Sequence, residues 1–408
     1  MTEVLDPFAS MRQIGLGNIE GELEAMWREA NAHIAATGAH ALSRNSVLTL
    51  VVFTTGRAIS GQLLEVIETL SSLHPSRAII VSADPTQHGD DIQARIATYA
   101  NPDTNSYGEE ILLEAQTGAV KHLPGVVLPL IVSSLPSFLW WIGEPPWNSS
   151  LLESLVDGSD RMIVDVGEMT QIESSLSALE HLVMRKSART AVSDTSWTAQ
   201  TPWRDLVAQF FDAPAVLPYL GGVERVILDF AAGEEFGREN SGQAYLFAGW
   251  LCSRLGWKSQ QIHSGAVDSN RQHILRDANG RAIALEINPR FGVNQRNWWE
   301  RDIYEATLAS EGDTTPPWVR PGALMSIHIA SRLEGKRATF TVGRERDLAH
   351  ATTVCHIPDI VMPSQTIHLD SVGEREPISQ QLRTLGHDLV YEEALASATR
   401  LAGTSRRL

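Results

Sequence analysis

The sequence predicts an α/β protein in two parts: a mostly parallel sheet covered by helices, then an α+β part with a largely antiparallel sheet. Apolar strands without polar alternation are separated by amphipathic helices, which is typical of a parallel sheet buried on both faces. A strand from Ser46 to Thr54, a helix from Gly61 to Leu73 and a strand from Ala78 to Ser82 follow one another. Their combined length fits one β–α–β unit, whose crossover is right-handed.

Further patterns extend the first part on both sides of this unit. An amphipathic helix is predicted from Asn18 to Ala36. Strands are predicted from Glu110 to Ala115, from Phe138 to Ile142 and from Arg161 to Val166, and a helix from Ser174 to Lys186. The repeated alternation of strand and helix supports a single sheet, and we expect this domain to span residues 1–190.

After residue 190, strands follow one another with fewer helices between them, which favours an antiparallel sheet backed by helices. The pair Asn279-Gly280 suits a tight hairpin turn. The remaining elements are two helices, from Gln243 to Leu255 and from Pro377 to Leu401, and five strands, from Val223 to Phe230, Leu324 to Ala330, Thr339 to Val342, Ala351 to Ile357 and Gln365 to Leu369. A chain of 408 residues exceeds one core, so we expect a second domain at 191–408.

Composition excludes several classes of function. The chain is 43% hydrophobic and 20% charged, and its formal net charge is −16. No dense cluster of lysine and arginine is visible, and a protein that neutralises phosphates needs the opposite charge balance, so no nucleic-acid partner is expected. The N-terminus shows no secretory signal, and two cysteines suit a reducing compartment; we therefore expect a cytoplasmic protein.

One uncharged stretch of 21 residues, from Leu123 to Gly143, is long enough to cross a bilayer. Pro124, Pro129 and Pro136 interrupt it, and its flanks carry no basic anchor beyond Lys121. A buried helix followed by a buried strand explains the stretch better, so no membrane association is expected.

Gly15-Leu-Gly17-Asn-Ile-Glu-Gly21 has the look of a dinucleotide-binding loop. Such a loop needs a strand that delivers the chain to the turn. The preceding residues, Asp6 to Ile14, do not form a convincing strand pattern. We interpret the glycines as a helix cap and expect no cofactor.

The segment Glu286-Ile-Asn288-Pro289-Arg290 resembles the Glu-x-Asn motif of ATP-grasp ligases, in which a carboxylate and an amide oxygen hold Mg²⁺. The lysine-bearing strands and the glycine-rich lid of that family cannot be placed, so a simple turn flanked by Glu286 and Arg290 is favoured. A Mg-ATP-dependent ligase stays the alternative. The thirteen histidines show no metal spacing, and the neighbouring Cys355 and His356 would point to opposite faces of a strand, so no metal site is expected.

Tryptophan is the unusual feature of the composition, with eleven residues against six tyrosines. Trp140 and Trp141 are adjacent, so in a strand they face opposite sides and one of them is expected to reach a surface. Trp147 follows two prolines. Core packing is the expected role of more than half of the eleven, whereas tryptophans beside proline-rich loops are typical anchors of protein interfaces.

Four segments carry a resemblance to a known family: Leu73 to Ile80, Leu139 to Glu144, Asp194 to Leu206 continuing through Phe211-Asp212, and Leu382 to Leu395. The tryptophan-rich segment from Asp194 to Asp212 is the most specific. Together they resemble the OpcA family, the glucose-6-phosphate dehydrogenase assembly proteins of cyanobacteria and actinobacteria. The likeness spreads over most of the chain.

The resemblance implies a non-catalytic partner of glucose-6-phosphate dehydrogenase that favours the active oligomer of this enzyme in the oxidative pentose phosphate pathway. In cyanobacteria this pairing is linked to thioredoxin, but Cys252 and Cys355 match no family motif, so that link is not extended to this chain. Residues hypothesised to contact the partner are Trp140, Trp141, Trp147, Trp197, Trp203 and Arg204.

His74, Ser76 and Arg77 allow two interpretations. They could hold a phosphate-bearing effector, in which case the chain could also be a sugar-phosphate sensor. Alternatively, the basic pair meets the negative end of a helix dipole where the helix from Gly61 ends. The second interpretation is preferred.

Overall fold

The computed structural model describes residues 11–36, 46–55, 61–84, 86–101, 106–186, 190–233, 240–260, 271–295, 318–369 and 375–405. The chain divides into two compact units. The first comprises residues 1–164, 186–193 and 374–387, and the second comprises residues 165–185, 194–373 and 388–408.

Within the described residues, helices and strands have the following bounds. The α-helices are α1 (Ile19–Ala36), α2 (Gly61–Leu73), α3 (Leu123–Val127), α4 (Ser150–Asp157), α5 (Ile172–Lys186), α6 (Thr195–Ala199), α7 (Thr201–Gln209), α8 (Leu217–Leu220), α9 (Gly242–Leu255), α10 (Arg375–Leu382) and α11 (Leu389–Ser405). The strands are β1 (Arg12–Ile14), β2 (Leu48–Thr55), β3 (Ser76–Asp84), β4 (Ile92–Asn101), β5 (Ser106–Gln116), β6 (Ser137–Ile142), β7 (Arg161–Val164), β8 (Ala191–Asp194), β9 (Val223–Ala231), β10 (Lys258–Gln260), β11 (Arg271–Arg276), β12 (Ala282–Arg290), β13 (Leu324–Leu333), β14 (Lys336–Arg344), β15 (His350–His356) and β16 (Thr366–His368).

An eight-stranded sheet in the order β1-β4-β5-β3-β2-β6-β7-β8 organises the first unit. β2 pairs in parallel with β3 and with β6, β3 pairs in parallel with β5, and β6 with β7. β4 is antiparallel to β5 and to the edge strand β1. The order reverses direction between β2 and β6, as in doubly wound folds. The predicted β–α–β unit and the mostly parallel sheet are confirmed.

Central strands of this sheet are buried on both faces. All six residues of β6 are buried, as are the first seven of β2. Consecutive burial requires cover on both faces, and the unbroken apolar sequences of these strands supply the side chains for it. The uncharged stretch from Leu123 forms α3, a 3₁₀ turn at Leu128–Leu130 and then β6, so a helix followed by a buried strand is confirmed.

No helix in the described part of the chain is both long and apolar enough to cross a membrane.

Gly15 leads into a short 3₁₀ turn, Leu16–Asn18, and then into α1. The strand before it, β1, is an antiparallel edge strand and not a central parallel strand. Because a dinucleotide loop follows a central parallel strand, this placement supports the interpretation of the glycines as the start of a helix.

The second unit is built on another eight-stranded sheet, in the order β10-β11-β12-β9-β13-β14-β15-β16. Every paired neighbour is antiparallel except β12 and β9. In the turn between β11 and β12, Asp277 Oδ1 accepts hydrogen bonds from the backbone N–H of Asn279 and of Arg281, both at 2.9 Å. Gly280 has φ of 78°, which glycine adopts without strain. The largely antiparallel sheet is confirmed.

The two faces of the second sheet differ in burial. In β9, Val226, Leu228 and Phe230 are buried, whereas Arg225 is exposed and Ile227 half-buried. This alternation is that of an antiparallel sheet with one face in the core. The face that carries Arg225 and Ile227 is called the open face below.

Aromatic rings pack on the buried face. Phe210 and Phe211, which follow α7, have ring centroids 5.4 and 4.9 Å from that of Phe340 in β14. Ring pairs at these separations stabilise a core beyond the area they bury. They fix the position of α7, which carries part of the candidate site.

Candidate functional site

The most specific segment of the sequence folds as two short helices. Asp194, the last residue of β8, caps α6: its Oδ1 accepts hydrogen bonds from the backbone N–H of Ser196 (2.8 Å) and of Trp197 (3.4 Å). Pro202 lies in the first turn of α7, where no intrahelical donor is needed. Part of the segment that carries the family resemblance therefore serves to start these two helices.

Trp197 and Arg204 form a stacked pair in the second unit. The Arg204 guanidinium carbon lies 3.6 Å from the centroid of the Trp197 ring. Arg204 Nη1 donates to the Trp197 carbonyl oxygen and Nη2 to Thr201 Oγ1, both at 2.8 Å. Trp197 Nε1 donates to Asp388 Oδ2 at 2.9 Å. The cation, the ring and the carboxylate therefore hold α6, α7 and the start of α11 together.

Burial dominates the electrostatics of this pair. Burial lowers the pKa of Arg204 to about 10, although the negative charges of Asp388 and Asp205 act to raise it. Trp197 is only 5% exposed and its ring lies against Tyr391, centroid to centroid 5.7 Å. Arg204 itself is half-buried.

Trp203 is a core residue. It is 2% exposed, and the Arg344 guanidinium carbon lies 5.6 Å from its ring centroid. The structure therefore brings Trp197 and Arg204 into contact but places Trp203 in the interior. Partner binding by these three residues stays a prediction, and only Arg204 among them has a substantial accessible surface.

The tryptophans of the first unit are also mostly internal. Trp140 and Trp141 are 2% and 0% exposed, so the expectation that one of them reaches a surface is wrong. The reason is that β6 lies in the middle of a sheet covered on both faces; Trp141 stacks on Phe53 with centroids 4.1 Å apart. Trp147 is half-buried, and its Nε1 donates to Glu144 Oε1 at 2.7 Å.

Arg77 lies in a network of carboxylates. Its Nε donates to Glu109 Oε2 at 2.7 Å and its Nη1 to Glu20 Oε1 at 2.5 Å. Although burial acts in the opposite direction, the hydrogen bonds and charges of Glu20 and Glu109 raise the pKa of Arg77. Arg77 and Glu109 are buried, so a phosphate would have to compete with two carboxylates already in place.

His74 and Ser76 make contacts within the same unit. His74 Nε2 lies 3.1 Å from Ser379 Oγ, and Ser76 Oγ lies 2.9 Å from Ser71 Oγ. Burial, followed by the nearby charge of Arg383, lowers the pKa of His74. The effector role of His74, Ser76 and Arg77 stays a prediction.

Glu286 and Asn288, the residues of the ATP-grasp-like motif, lie on the open face in β12. The turn expected between Glu286 and Arg290 is wrong, because the strand continues through Arg290 and pairs with β9 along this whole segment. A Glu286 carboxylate oxygen is 2.7 Å from Arg225 Nη2 of the neighbouring β9. Asn288 Nδ2 donates to Asp229 Oδ1 at 3.3 Å, and Arg290 Nη2 donates to Asp229 Oδ2 at 2.7 Å. Both motif side chains thus take part in a network of basic and acidic groups.

Asp229 is the centre of that network, and it was not predicted from the sequence. It is 1% exposed, and it also accepts a hydrogen bond from Ser326 Oγ at 2.5 Å. His328 lies 3.1 Å from Ser326 and 3.1 Å from Thr341. The one signal in the sequence was a carboxylate within the apolar strand from Val223 to Phe230. The residues around Asp229 come from three other strands, so the network itself could not be seen in the sequence.

Neither cysteine lies in a setting that favours a thiolate. Burial raises the pKa of Cys252 to about 12, against the charge of Arg400, and raises the pKa of Cys355 to about 11. The thiolate is the reactive form. Both thiols should therefore be protonated at neutral pH.

We expect slow alkylation of the native protein by iodoacetamide at pH 8, because so little thiolate is present. Cys355, which is half-buried, should react before Cys252, which is 4% exposed. Peptide mass spectrometry over time, with urea-unfolded protein as the control, measures both rates. Equal rates for Cys252 in native and unfolded protein would contradict this assignment.

Comparison with protein families decides the family of the chain. A family model described as the C-terminal domain of the glucose-6-phosphate dehydrogenase subunit, OpcA, matches residues 190–395. A second, described as the N-terminal domain of the same protein, matches residues 67–181. The chain belongs to the OpcA family. The resemblance stated from the sequence is confirmed.

Several cyanobacterial members of the OpcA family are named OxPP cycle protein OpcA. The chain is 28% identical over 342 residues to that of Synechocystis sp., covering 81% of this chain and 64% of the relative. It is 27% identical over 350 residues to that of Synechococcus elongatus, covering 84% and 71%. With the Nostoc punctiforme protein it shares 34% over 169 residues, 41% of this chain and 34% of the relative. The aligned part of the chain thus covers between about a third and 71% of the length of these relatives.

Solved structures that align with this OpcA-family chain are remote. Levoglucosan dehydrogenase in complex with NADH and L-sorbose aligns with a TM-score of 0.44 at 9% identity, covering 88% of this chain and 97% of that one. A D-galactose-1-dehydrogenase from Rhizobium etli gives 0.39 at 11%, covering 88% and 96%. Similarities this weak carry no argument about activity.

Proposed function

We propose that this chain is a non-catalytic assembly factor that binds glucose-6-phosphate dehydrogenase and favours its active oligomer. The observation that carries the proposal is that both matching family models are described as domains of a subunit of this dehydrogenase. The relatives' common name places them in the OxPP cycle. In this proposal the chain acts in the cytoplasm, through the two compact units described above.

Activation without catalysis follows from linkage. A partner shifts an enzyme toward its active state only when it binds that state more tightly, and a tenfold preference corresponds to about 1.4 kcal/mol. Binding energy alone, without a reacting group, is enough for such an effect. The chain would need only a surface that distinguishes two oligomeric states of the dehydrogenase.

The geometry of Glu286 supports this proposal over the ATP-dependent ligase. Its carboxylate lies 2.7 Å from the Arg225 guanidinium, and Asn288 is bonded to Asp229. To hold Mg²⁺, Glu286 would have to exchange its present partner Arg225 for the ion, whereas the Asn288 amide oxygen accepts no hydrogen bond within the described residues. As the partner of Arg225, Glu286 needs no rearrangement.

Purified chain and the dehydrogenase from the same organism test the proposal directly. We expect the two to co-elute in size-exclusion chromatography and the dehydrogenase activity at low substrate to rise several-fold when the chain is added. The larger oligomer should also gain population in mass photometry. An equal mass of albumin is the control.

Two results would contradict the proposed function. One is the absence of any complex at concentrations of tens of micromolar, roughly the limit of a weak specific interaction. The other is turnover of a substrate by the chain alone. Calorimetry with ATP and Mg²⁺ covers the ligase alternative, and we expect no heat of binding.

A further inference from the structure

A row of basic side chains crosses the open face of the second sheet. Strand pairing places Lys258 opposite Arg276 and Arg332 opposite Arg337. Between these pairs, Arg225 of the central strand β9 lies opposite Ala284 on one side and Ala330 on the other. These five basic residues, the basic row, are spread over the strands β10-β11-β12-β9-β13-β14. At the usual strand spacing the row spans about 24 Å.

The row is accessible to a partner. The side chains of Arg225 and Arg332 are 49% and 51% exposed, and Lys258, Arg276 and Arg337 are exposed as well. Small neighbours such as Ala284 and Ala330 leave the long basic side chains standing above the sheet surface. No residue of the row comes from a loop, so the sheet fixes its spacing.

The charge of this face is opposite to that of the whole chain. The chain has a formal net charge of −16. Strand residues at the open face carry six basic side chains, the basic row and Arg290, against three acidic ones, Asp229, Glu286 and Glu224, of which Glu224 pairs with Arg332. A positive surface on an acidic protein is a means of orienting a partner.

We propose that the basic row is the surface that docks an acidic patch of the partner protein, which under the proposed function is glucose-6-phosphate dehydrogenase. The inference rests on that function and adds the location of the contact. Guanidinium groups bind carboxylates through two parallel hydrogen bonds, so a row of them selects carboxylates at matching spacing.

The charge of the basic row favours an acidic protein patch over a second copy of the chain and over a nucleic acid. A second copy of the chain, docked through the same face in a symmetric dimer, would set the basic row against itself. A nucleic acid presents an unbroken run of phosphates, whereas carboxylates interrupt the row: Arg225 pairs with Glu286 at 2.7 Å and Arg332 with Glu224 at 2.8 Å. Alternating charges of this kind fit a protein surface.

The test reverses charge at two exposed members of the row that leave the internal pairs intact. The variant Lys258→Glu/Arg337→Glu is compared with Arg28→Glu/Lys121→Glu, which makes the same change in net charge on exposed positions of the first unit. Melting temperature and circular dichroism verify that both variants fold. Binding of each full chain to the dehydrogenase is measured by biolayer interferometry at low salt and at roughly 300 mM added salt, which screens surface charge.

We expect the row variant to bind at least about tenfold more weakly at low salt and the control variant to stay within about threefold of wild type. The loss should appear mainly in the association rate and shrink with salt. If both variants bind as tightly as wild type, the docking surface is wrong but the proposed function stands. If wild type itself does not bind the dehydrogenase, the docking surface and the proposed function are both wrong. Retention of a duplex DNA probe by wild type, lost in the row variant, would assign the row to nucleic acid and also overturn the proposal.

Discussion

Replacing Trp203 with alanine is expected to lower the free energy of unfolding by about 3–5 kcal/mol, the range for truncating a large aromatic residue in a core. The residue is 2% exposed, and its removal leaves a cavity beneath Arg344. Burial also lowers the pKa of Arg344 to about 10, so that guanidinium has little water to replace the lost ring contact. Urea unfolding followed by circular dichroism measures the loss.

Trp147→Ala is the matched control for this substitution. The side chain is half-buried and bonded to Glu144, so its truncation should cost less, about 1–2 kcal/mol. Equal losses for the two variants would show that burial does not separate the tryptophans in this way. Trp203→Ala also lowers stability, so weaker partner binding by this variant would not by itself locate an interface. Arg204→Ala is the better probe of an interface, because Arg204 has accessible surface on the same segment.

Strands with a strong local signal were predictable from the sequence, but two strands at one margin of the first sheet were missed. The apolar run from Ser46 and the second run from Ala78 became β2 and β3 because burial on both faces selects continuous apolar sequence. β1 and β4 were missed: β1 is short and mostly exposed, and β4 alternates polar and apolar residues at the margin of the sheet. A strand of three residues is too short to show a pattern, whereas the alternation in β4 was a usable strand signal.

The candidate site shows a different limit. Trp140, Trp141, Trp197 and Trp203 stood out by composition, yet composition does not tell a core ring from an interface ring. The basic row was invisible for the opposite reason. Its residues are scattered between positions 225 and 337, and only the register of six strands brings them into line. A surface made by strand pairing leaves no local motif to find.

Glu110 is a buried acid on β5 whose charge opposes folding. It is 7% exposed, and its Oε1 has no hydrogen-bond partner within the described residues. Burial, and then the neighbouring charge of Glu68, raises the pKa of Glu110 to about 7. The preceding residue, Glu109, is paired with Arg77. An ionised Glu110 has no such cationic partner within the described residues.

The first unit should therefore lose stability as the pH rises from about 4.5 through about 7. A group with a raised pKa binds more protons in the native state than in the unfolded state over this window, so the free energy of unfolding falls with pH. The total change for Glu110 is about 3 kcal/mol.

Glu110→Gln, which is neutral at every pH, should be more stable than wild type by about 3 kcal/mol at pH 8 and by about 1 kcal/mol or less at pH 5. Glu68→Gln should recover part of that difference, since it removes the second cause of the shift, and the exposed Glu65→Gln on the same helix should recover none. Urea titrations at both pH values measure these differences. A gain that is the same at pH 5 and pH 8 would mean that glutamine acts through packing, because a change in packing does not follow the protonation of one carboxyl group.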